Sequence, residues 1–477
     1  MPVTALLACR PAVIEAPPGA GAPAIAEPAL ASPESPAPVV AEPEALPPAL
    51  VEAAAKITAA ARGERMAWDR LALMSDSFGH RLSGSAALER AIDWSLEVMR
   101  QDGLENVRRE AVMVPHWVRG EERGRIVAPV ERRLHLLGLG GTVGTGKRPL
   151  RGEVVVAGSI DAMKALGEAA VRGKIVVLNQ AMPPFDHEHQ ETHYGSTVVI
   201  RSSGASEGAR MGARAVLIRS VTATSLQSPH TGSLRYAEDA PKIPAAALSV
   251  EDAEMLARMA ARGRVEVELF LGAKTLPDAL SGNAIGEIRG RELPDEVVVI
   301  GGHIDSWDVG DGSSDDGSGC MMAMEAARLI LKAGLRPRRT IRVVLFTNEE
   351  NGLRGGKAYH AAHGKEVHAA AIEADVGAGA PRGFGITGRS EAEVEAVKLL
   401  RPLFSALGAE ELVSGGGGAD ISPLTADGVL SLGLRPDVSR YFDLHHSEAD
   451  TIDKIDPEHL ERNAAAMAVM AFALAER

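Results

Sequence analysis

The sequence predicts an α/β fold, a mostly parallel central sheet flanked by helices, with a second unit inserted into it. Three observations predict it. Beyond Asn283, strand-like apolar runs alternate with helix-like stretches, the pattern of a parallel sheet covered on both faces. Ahead of that region, residues 135–272 hold short β-like runs joined by polar turns, which have a different rhythm. The chain also has 477 residues, more than one compact core usually accommodates, so two domains plus extra segments are expected.

Taken in order, residues 1–49 are expected to be a tether. From Arg10 to about Pro48 the chain is mostly Ala, Pro and Glu, which cannot bury a core and stays extended. The first nine residues end in L-L-A-C, a string similar to the lipidation box of bacterial lipoproteins, with Cys9 as the lipid acceptor. The segment before it has no positive n-region and no full apolar stretch, so the likeness requires an upstream start, and a chance string is the competing explanation. Tether and box together favour an exported protein, periplasmic, outer-membrane-anchored or secreted, with a cytoplasmic protein carrying an inert tail as the alternative.

Order is expected from about Leu50. There V-E-A-A-A-K-I-T-A-A-A-R, and then residues 86–101, place apolar side chains at helical spacing and predict surface helices. In the insert, V-V-V-A-G, K-I-V-V-L and A-V-L-I predict strands and residues 207–212 a helix. Residues 50–134 and 273–477 form the main domain around it. Within that domain E-V-V-V-I-G-G predicts a buried strand, residues 321–333 an amphipathic helix with R-P-R-R as its polar exit, and T-I-R-V-V-L-F-T the next strand. A-A-A-I-E-A-D predicts a further strand, and the last helix runs from about Pro457.

Composition narrows the function classes. Hydrophobic residues at 45% and charged residues at 24% are those of a globular chain. No run of about 18 apolar residues offers a membrane span. A net charge of -13 argues against a nucleic-acid partner, which needs clustered Lys and Arg. Two cysteines, Cys9 and Cys320, are too few for a disulfide framework, and Cys320 is expected to be a small core residue. A homodimer is an open expectation.

The chemistry is sought where open α/β sheets place it, beyond the carboxyl ends of the strands. His303 and Asp305 follow V-V-V-I-G-G, Glu349 and Glu350 follow V-V-L-F-T-N, and Asp375 follows the next strand. Two residues apart in extended chain, His303 and Asp305 share a side, which suits a ligand and the carboxylate that orients it; an ordinary surface hydrogen bond is the plainer alternative. The loop D-V-G-D-G-S-S-D-D-G-S-G has a turn and helix cap as its plain explanation. Its paired acids also suit a bridging carboxylate, with Asp315 the candidate and the glycines admitting close backbone approach. Neighbouring Glu349 and Glu350 should face opposite ways if the strand continues, so that one binds metal and the other moves protons. His445 and His446, in D-L-H-H-S-E-A-D-T, would supply an imidazole ligand and a donor to a developing oxyanion. His187, His189 and His193 suit a polar loop better than a third metal site.

In order and position these residues resemble the co-catalytic zinc aminopeptidase superfamily, and within it the carboxypeptidase Q branch. The resemblance spans roughly residues 50–477 and includes G-G-H-I-D-S-W-D-V-G-D-G-S-S-D-D-G-S-G, L-R-P-R-R-T-I-R-V-V-L-F-T-N-E-E, S-P-H-T-G, K-I-P-A-A-A-L-S-V-E-D-A-E-M and H-H-S-E-A-D-T. It implies a phosphorylase/hydrolase-like zinc-exopeptidase fold with a protease-associated-like inserted domain, two Zn2+ per chain and a peptide substrate with free termini. Carried over, Asp315 bridges the metals, His303 and Asp375 complete one site, Glu350 and His446 the other. Glu349 is then the general base, Asp305 orients His303, and Asp316 shapes the turn behind the bridging carboxylate. His446 rather than His445 fits the pattern of His, a hydroxyl residue, two others, then Asp-Thr; His445 falls where relatives place an oxyanion-polarising group. Asp420, in G-G-G-G-A-D-I-S, is placed near the site as a substrate-binding residue.

Other functions share parts of this pattern. A glutaminyl-cyclase-like acyltransferase has this fold with one zinc, which the full five-ligand set disfavours. A receptor-like protein with a decayed site should have lost a ligand or Glu349. An aminopeptidase acting on longer peptides, or a glutamate-carboxypeptidase-like enzyme, would use the same ligands.

Overall fold

A computed structural model describes residues 46–224 and 226–477. Cys9 and nearly all of the expected tether lie outside the described residues.

Three helices come first, Pro48–Ala61, Met66–Phe78 and Ala86–Gln101. In the first, proline sits at the N-terminus, where its missing N–H is no loss, and Leu50, Ala53, Ala54 and Ile57 recur at helical spacing to form a buried stripe. Ser85 caps the third by accepting a hydrogen bond from Leu88 N at 3.2 Å. These helices are not a loose surface layer. Their apolar faces pack into the main core beside the helices Ser318–Lys332 and Pro457–Glu476.

Among the described residues sixteen strands form two eight-stranded sheets. Strand β1 (Glu105–Val118) belongs to the main sheet. The next eight build the second sheet: β2 (Glu122–Ala128), β3 (Arg132–Leu134), β4 (Leu136–Gly138), β5 (Leu150–Ala157), β6 (Ile175–Leu178), β7 (Ala215–Arg219), β8 (Ala245–Leu248) and β9 (Glu266–Leu271). The chain then returns to the main sheet with β10 (Lys274–Ile288), β11 (Leu293–His303), β12 (Arg339–Phe346), β13 (Val367–Glu373), β14 (Pro381–Thr387), β15 (Glu411–Ser414) and β16 (Ser431–Pro436).

The main sheet runs β1-β10-β12-β11-β13-β16-β14-β15. Its centre, β12-β11-β13-β16, is parallel, whereas β1, β10 and β14 pair antiparallel at the flanks. The sheet is therefore mixed around a parallel centre. Alternation explains the two covered faces. Val298 and Ile300 of β11 join the large core under the long helices, while Val297 and Val299 join a smaller one with Tyr359, Ile421 and Leu424. The helix Ser318–Lys332, expected to be amphipathic, is buried on nearly all sides because the N-terminal and C-terminal helices close over it. Cys320 is buried within it.

The second sheet runs β3-β2-β9-β5-β6-β7-β8-β4, with a parallel run β5-β6-β7-β8. It begins upstream of residue 135, because β2 pairs with β9 and with β3. The helix expected over residues 207–212 is Val199–Arg210, longer than expected, and its small residues Gly204, Ala205 and Gly208 allow close packing on Leu178 and Val216. No helix among the described residues is long and apolar enough to cross a membrane.

Candidate metal centre

The parallel centre of the main sheet ends in polar residues on one side. β11 ends on His303, β12 is followed by the turn carrying Glu349 and Glu350, and β13 is followed by Asp375. The helix Ser318–Lys332 starts beneath them, preceded by Asp315 and Asp316, which are joined by a cis peptide bond. The loop after the short helix Tyr441–Leu444 brings in His445 and His446.

Five of these side chains converge. His303 Nε2 lies 3.2 Å from Asp375 Oδ1 and 3.3 Å from Asp315 Oδ1. His446 Nε2 lies 3.2 Å from Asp315 Oδ2 and 3.1 Å from Glu350 Oε2. Asp315 thus faces one imidazole with each oxygen. His445 stacks on His446 with ring centres 3.4 Å apart, but its Nε2 is 3.6 Å from Asp315 Oδ2 and it makes no ion pair with Glu350. Ligand atoms of His303, Asp315 and Glu350, of Asp315, His445 and His446, and of His303, Asp316 and Asp375 are close enough to share a cation.

Several carboxylates with few cations among them make this an electrostatically costly place. Burial, and then Asp315 beside it, pushes the Glu350 carboxyl well above its usual range. Burial pushes Glu349 up to about 8. Asp315 moves the other way: burial opposes it, but His303 and His446 hold its carboxyl well below the usual range. For His303 burial acts downward, and Asp375 and Asp315 outweigh it, leaving the imidazole well above its ordinary value. Asp315 Oδ2 and Glu350 Oε1 are buried without any hydrogen bond. A divalent cation would meet both needs, and a mixed imidazole and carboxylate set suits zinc. The residues present therefore fit the metal that the sequence implies.

Positions of the remaining expected residues differ from the expectation in three ways. Asp305 touches His303 through its backbone carbonyl, 2.9 Å from Nδ1, while its carboxylate lies 3.8 Å away and instead accepts from Glu349 N at 3.0 Å. It thus steadies both the ligand and the acidic turn. Glu349 and Glu350 are not strand residues, because β12 ends at Phe346 and Asn348 takes a left-handed φ of 66°; the turn, not strand alternation, separates their directions. Asp420 does not line the cleft. It is 2% exposed, and its Oδ1 accepts from Gly356 N at 3.2 Å, while Asp420 N donates to Glu373 Oε1 at 3.3 Å. Behind the ligands Asp316 Oδ2 accepts from His303 N at 2.9 Å, holding the end of β11. His187, His189 and His193 form none of the candidate metal groups; Asp186 accepts from His189 N at 3.0 Å and organises them into an exposed turn.

Sequence reasoning missed other supports. Asp450 accepts from Ser314 N at 2.6 Å and Asp315 N at 3.0 Å, clamping the loop that presents the central carboxylate. Arg81, fully buried, donates to Ile304 O, Asp311 O and Gly312 O. The second sheet contributes too: His230 Nδ1 meets His445 O at 2.7 Å, and Thr231 N donates to His446 O at 2.9 Å. Asp450 and His230 stood inside quoted motifs, which was the available signal; Arg81 offered none.

Beside the five residues lies a cleft of about 870 Å³, walled on one side by Tyr194, Arg201 and Arg235 of the second sheet's layer and on the other by Glu349, Glu350 and Asp375. Glu349 opens onto it, with no hydrogen bond to its carboxylate among the described residues.

Known proteins are similar to this chain. The model of peptidase family M28 matches residues 283–471. Carboxypeptidase Q of Bos taurus is 41% identical over 433 residues, 90% of this chain and 89% of that protein, and carboxypeptidase Q of Homo sapiens is 40% identical over the same shares. The crystal structure of a peptidase M28 precursor from Shewanella amazonensis superimposes with a TM-score of 0.85 at 34% identity, covering 90% of this chain and 97% of that one. A zinc aminopeptidase from Bacillus subtilis shares the fold, with a TM-score of 0.64 at 20% identity over 86% of this chain and 95% of that one. With these likenesses spanning both sheets and all five converging side chains, the chain belongs to peptidase family M28, with the carboxypeptidases Q among its relatives, and is a zinc metallo-exopeptidase.

Proposed function

We propose that the enzyme is a two-zinc exopeptidase that hydrolyses dipeptides or short peptides with free termini. The observation that carries this is Asp315, whose two oxygens each face a different histidine, 3.3 Å from His303 and 3.2 Å from His446. Such a carboxylate would be shared by two metal ions. His303 and Asp375 would complete one site, Glu350 and His446 the other. When bound, the two ions would polarise the scissile carbonyl and make water a competent nucleophile near neutral pH.

The chain's own groups do the rest. Glu349 accepts the proton from the attacking water and returns it to the leaving amine, a task for a carboxylate raised by burial and free of hydrogen bonds. His445, beside Asp315 but away from Glu350, donates to the carbonyl oxygen as it gains charge. Asp305 keeps Glu349 in place through its backbone. The second sheet with its helices acts as a protease-associated-like cap: Tyr194, Arg201 and Arg235 close one side of the cleft and so limit substrate length.

Metal analysis together with amino-acid release from free and N-acetylated dipeptides and a long peptide tests this. Nearly two zinc per chain and preference for free dipeptides are expected. One tightly held zinc in a fully active sample, unchanged by added metal, would sink the two-ion proposal, and equal rates on all three substrates would sink the capped cleft.

A further inference from the structure

The cleft is electrically polarised. Its acidic groups, Asp315, Glu349, Glu350 and Asp375, all come from the main sheet, whereas Arg201 and Arg235 face them from the second sheet's layer. Two divalent ions would balance those four carboxylates, leaving as uncompensated cations Arg201 and Arg235 on one wall and, on the other, Lys357, whose Nζ is already engaged by Gly352 O at 3.0 Å. A guanidinium has no other state to retreat to, because it stays protonated.

The two arginines differ in what already occupies them. Arg201 is 7% exposed and committed: its Nη2 donates to Tyr194 OH at 2.5 Å, its Nη1 lies 3.5 Å from Thr231 O and 3.3 Å from His446 Nδ1, and its Nε is buried without a partner. It forms no ion pair with any carboxylate of the described residues. Arg235 is exposed to the cleft, and among the described residues its guanidinium has neither hydrogen bond nor ion pair. Arg210, on the helix that carries Arg201, is by contrast paired with Asp239. The backbone of Arg235 is nonetheless fixed, since its N donates to Ser202 O at 2.9 Å and its carbonyl accepts from Ser206 Oγ at 3.3 Å, both on the helix that carries Arg201. A pinned, unpaired guanidinium in a substrate cleft, beside a buried one, is built for an anion.

We propose that Arg235, with Arg201 behind it, binds the free α-carboxylate of the substrate, so that the bond cleaved is the last one of the peptide. This rests on the exopeptidase proposal above and adds the group recognised. One residue spans about 3.5 Å of extended chain, and an Arg–carboxylate contact adds about 2.8 Å. A carboxylate one residue beyond the scissile bond therefore reaches a guanidinium roughly 6 Å or more from the reacting carbon. Arg201, against the far nitrogen of His446, stands at about that remove. A zwitterionic dipeptide then lies along the field of the cleft, its carboxylate toward the arginines and its amine toward the acidic side.

The test pairs substrate charge with enzyme variant in the zinc-loaded full chain. A dipeptide and the same dipeptide as its C-terminal amide are compared on wild type, Arg235→Ala and Arg235→Lys. Charge-assisted contacts of this type correspond to roughly a tenfold to hundredfold effect. Wild type should favour the free dipeptide by that factor in kcat/KM, mainly through KM. Arg235→Ala should lose the preference, its kcat/KM falling far more on the free dipeptide than on the amide, and Arg235→Lys should regain part of it. Equal rates on dipeptide and amide by wild type would overturn the proposal, as would an Arg235→Ala enzyme that loses both activities alike. An enzyme with two zinc that cleaves neither dipeptide nor amide, yet cleaves long peptides, would overturn the proposed short-peptide function and this inference with it.

Discussion

Replacing Glu349 with glutamine separates proton transfer from metal binding. Glu349 belongs to none of the side-chain groups close enough to share a cation, and its carboxylate makes no hydrogen bond among the described residues. Its backbone N is held by Asp305 at 3.0 Å, a contact the amide side chain does not disturb. Glutamine keeps the size and removes only the ability to accept a proton. A positioned acid–base group contributes about 10²–10⁴ in rate, or roughly 3–5 kcal/mol of barrier at 1.36 kcal/mol per factor of ten. The variant should therefore keep wild-type zinc content and lose at least two orders of magnitude in kcat/KM. Burial places the Glu349 carboxyl at about 8 without metal, and bound cations lower it. Activity should thus rise with pH along an acidic limb below 8, and the residual activity of the variant should lack that limb. Glu350→Gln is the contrast: with Oε2 3.1 Å from His446 Nε2 and Oε1 buried without a partner, it should lose metal first and activity as a consequence. Metal analysis and steady-state kinetics on the two variants decide between the roles. A Glu349→Gln enzyme within about threefold of wild type at full metal content, or two variants that lose metal equally, would refute them.

Two predictions concern stability. Glu461, 4% exposed, accepts from Ala67 N at 2.7 Å, while its other oxygen has no partner, and burial raises its carboxyl to about 7 from the ordinary 4.5. A folded value above the unfolded one means the contribution is complete below about 4.5 and is lost as pH rises through 7, on the order of 3 kcal/mol. Glu461→Gln should then melt higher than wild type at pH 8 and equally at pH 4.5, and parallel Tm–pH curves would contradict the assignment. Gly140 packs on Trp307, where an added Cβ would meet the ring at 1.8 Å. Gly140→Ala should cost about 1–3 kcal/mol by overpacking, read by calorimetry as a lower Tm. Because Trp307 lies edge-on to His446 at 5.6 Å between ring centres, kcat/KM should fall as well; an unchanged Tm would show that the two layers yield there at no cost.

Much of this protein was determined locally in its sequence. Apolar runs long enough to cross a buried sheet specified β11, β12 and β13, because a strand covered on both faces must be apolar at every position, and the polar residue ending each run then has to stand at the sheet's rim. His303, Glu350 and Asp375 were legible for that reason, and Asp315, His445 and His446 through motifs that keep their spacing. What remained illegible depends on residues far apart in the chain. Whether Asp305 would turn its carboxylate to His303 or to Glu349 was settled by the turn after Asn348, whose left-handed backbone no periodicity announces. Asp420 looked available as a polar residue in a glycine-rich loop, yet packing against Gly356 and Glu373 took it out of the cleft. Arg81 reaches Gly312 across 231 residues, and Arg201 reaches His446 across 245. Such contacts are created by the docking of one layer on another, so they leave no trace in local spacing: the sequence specified which side chains stand at the strand ends, and tertiary packing alone decided which groups hold them and which of the two cleft arginines was left unpaired.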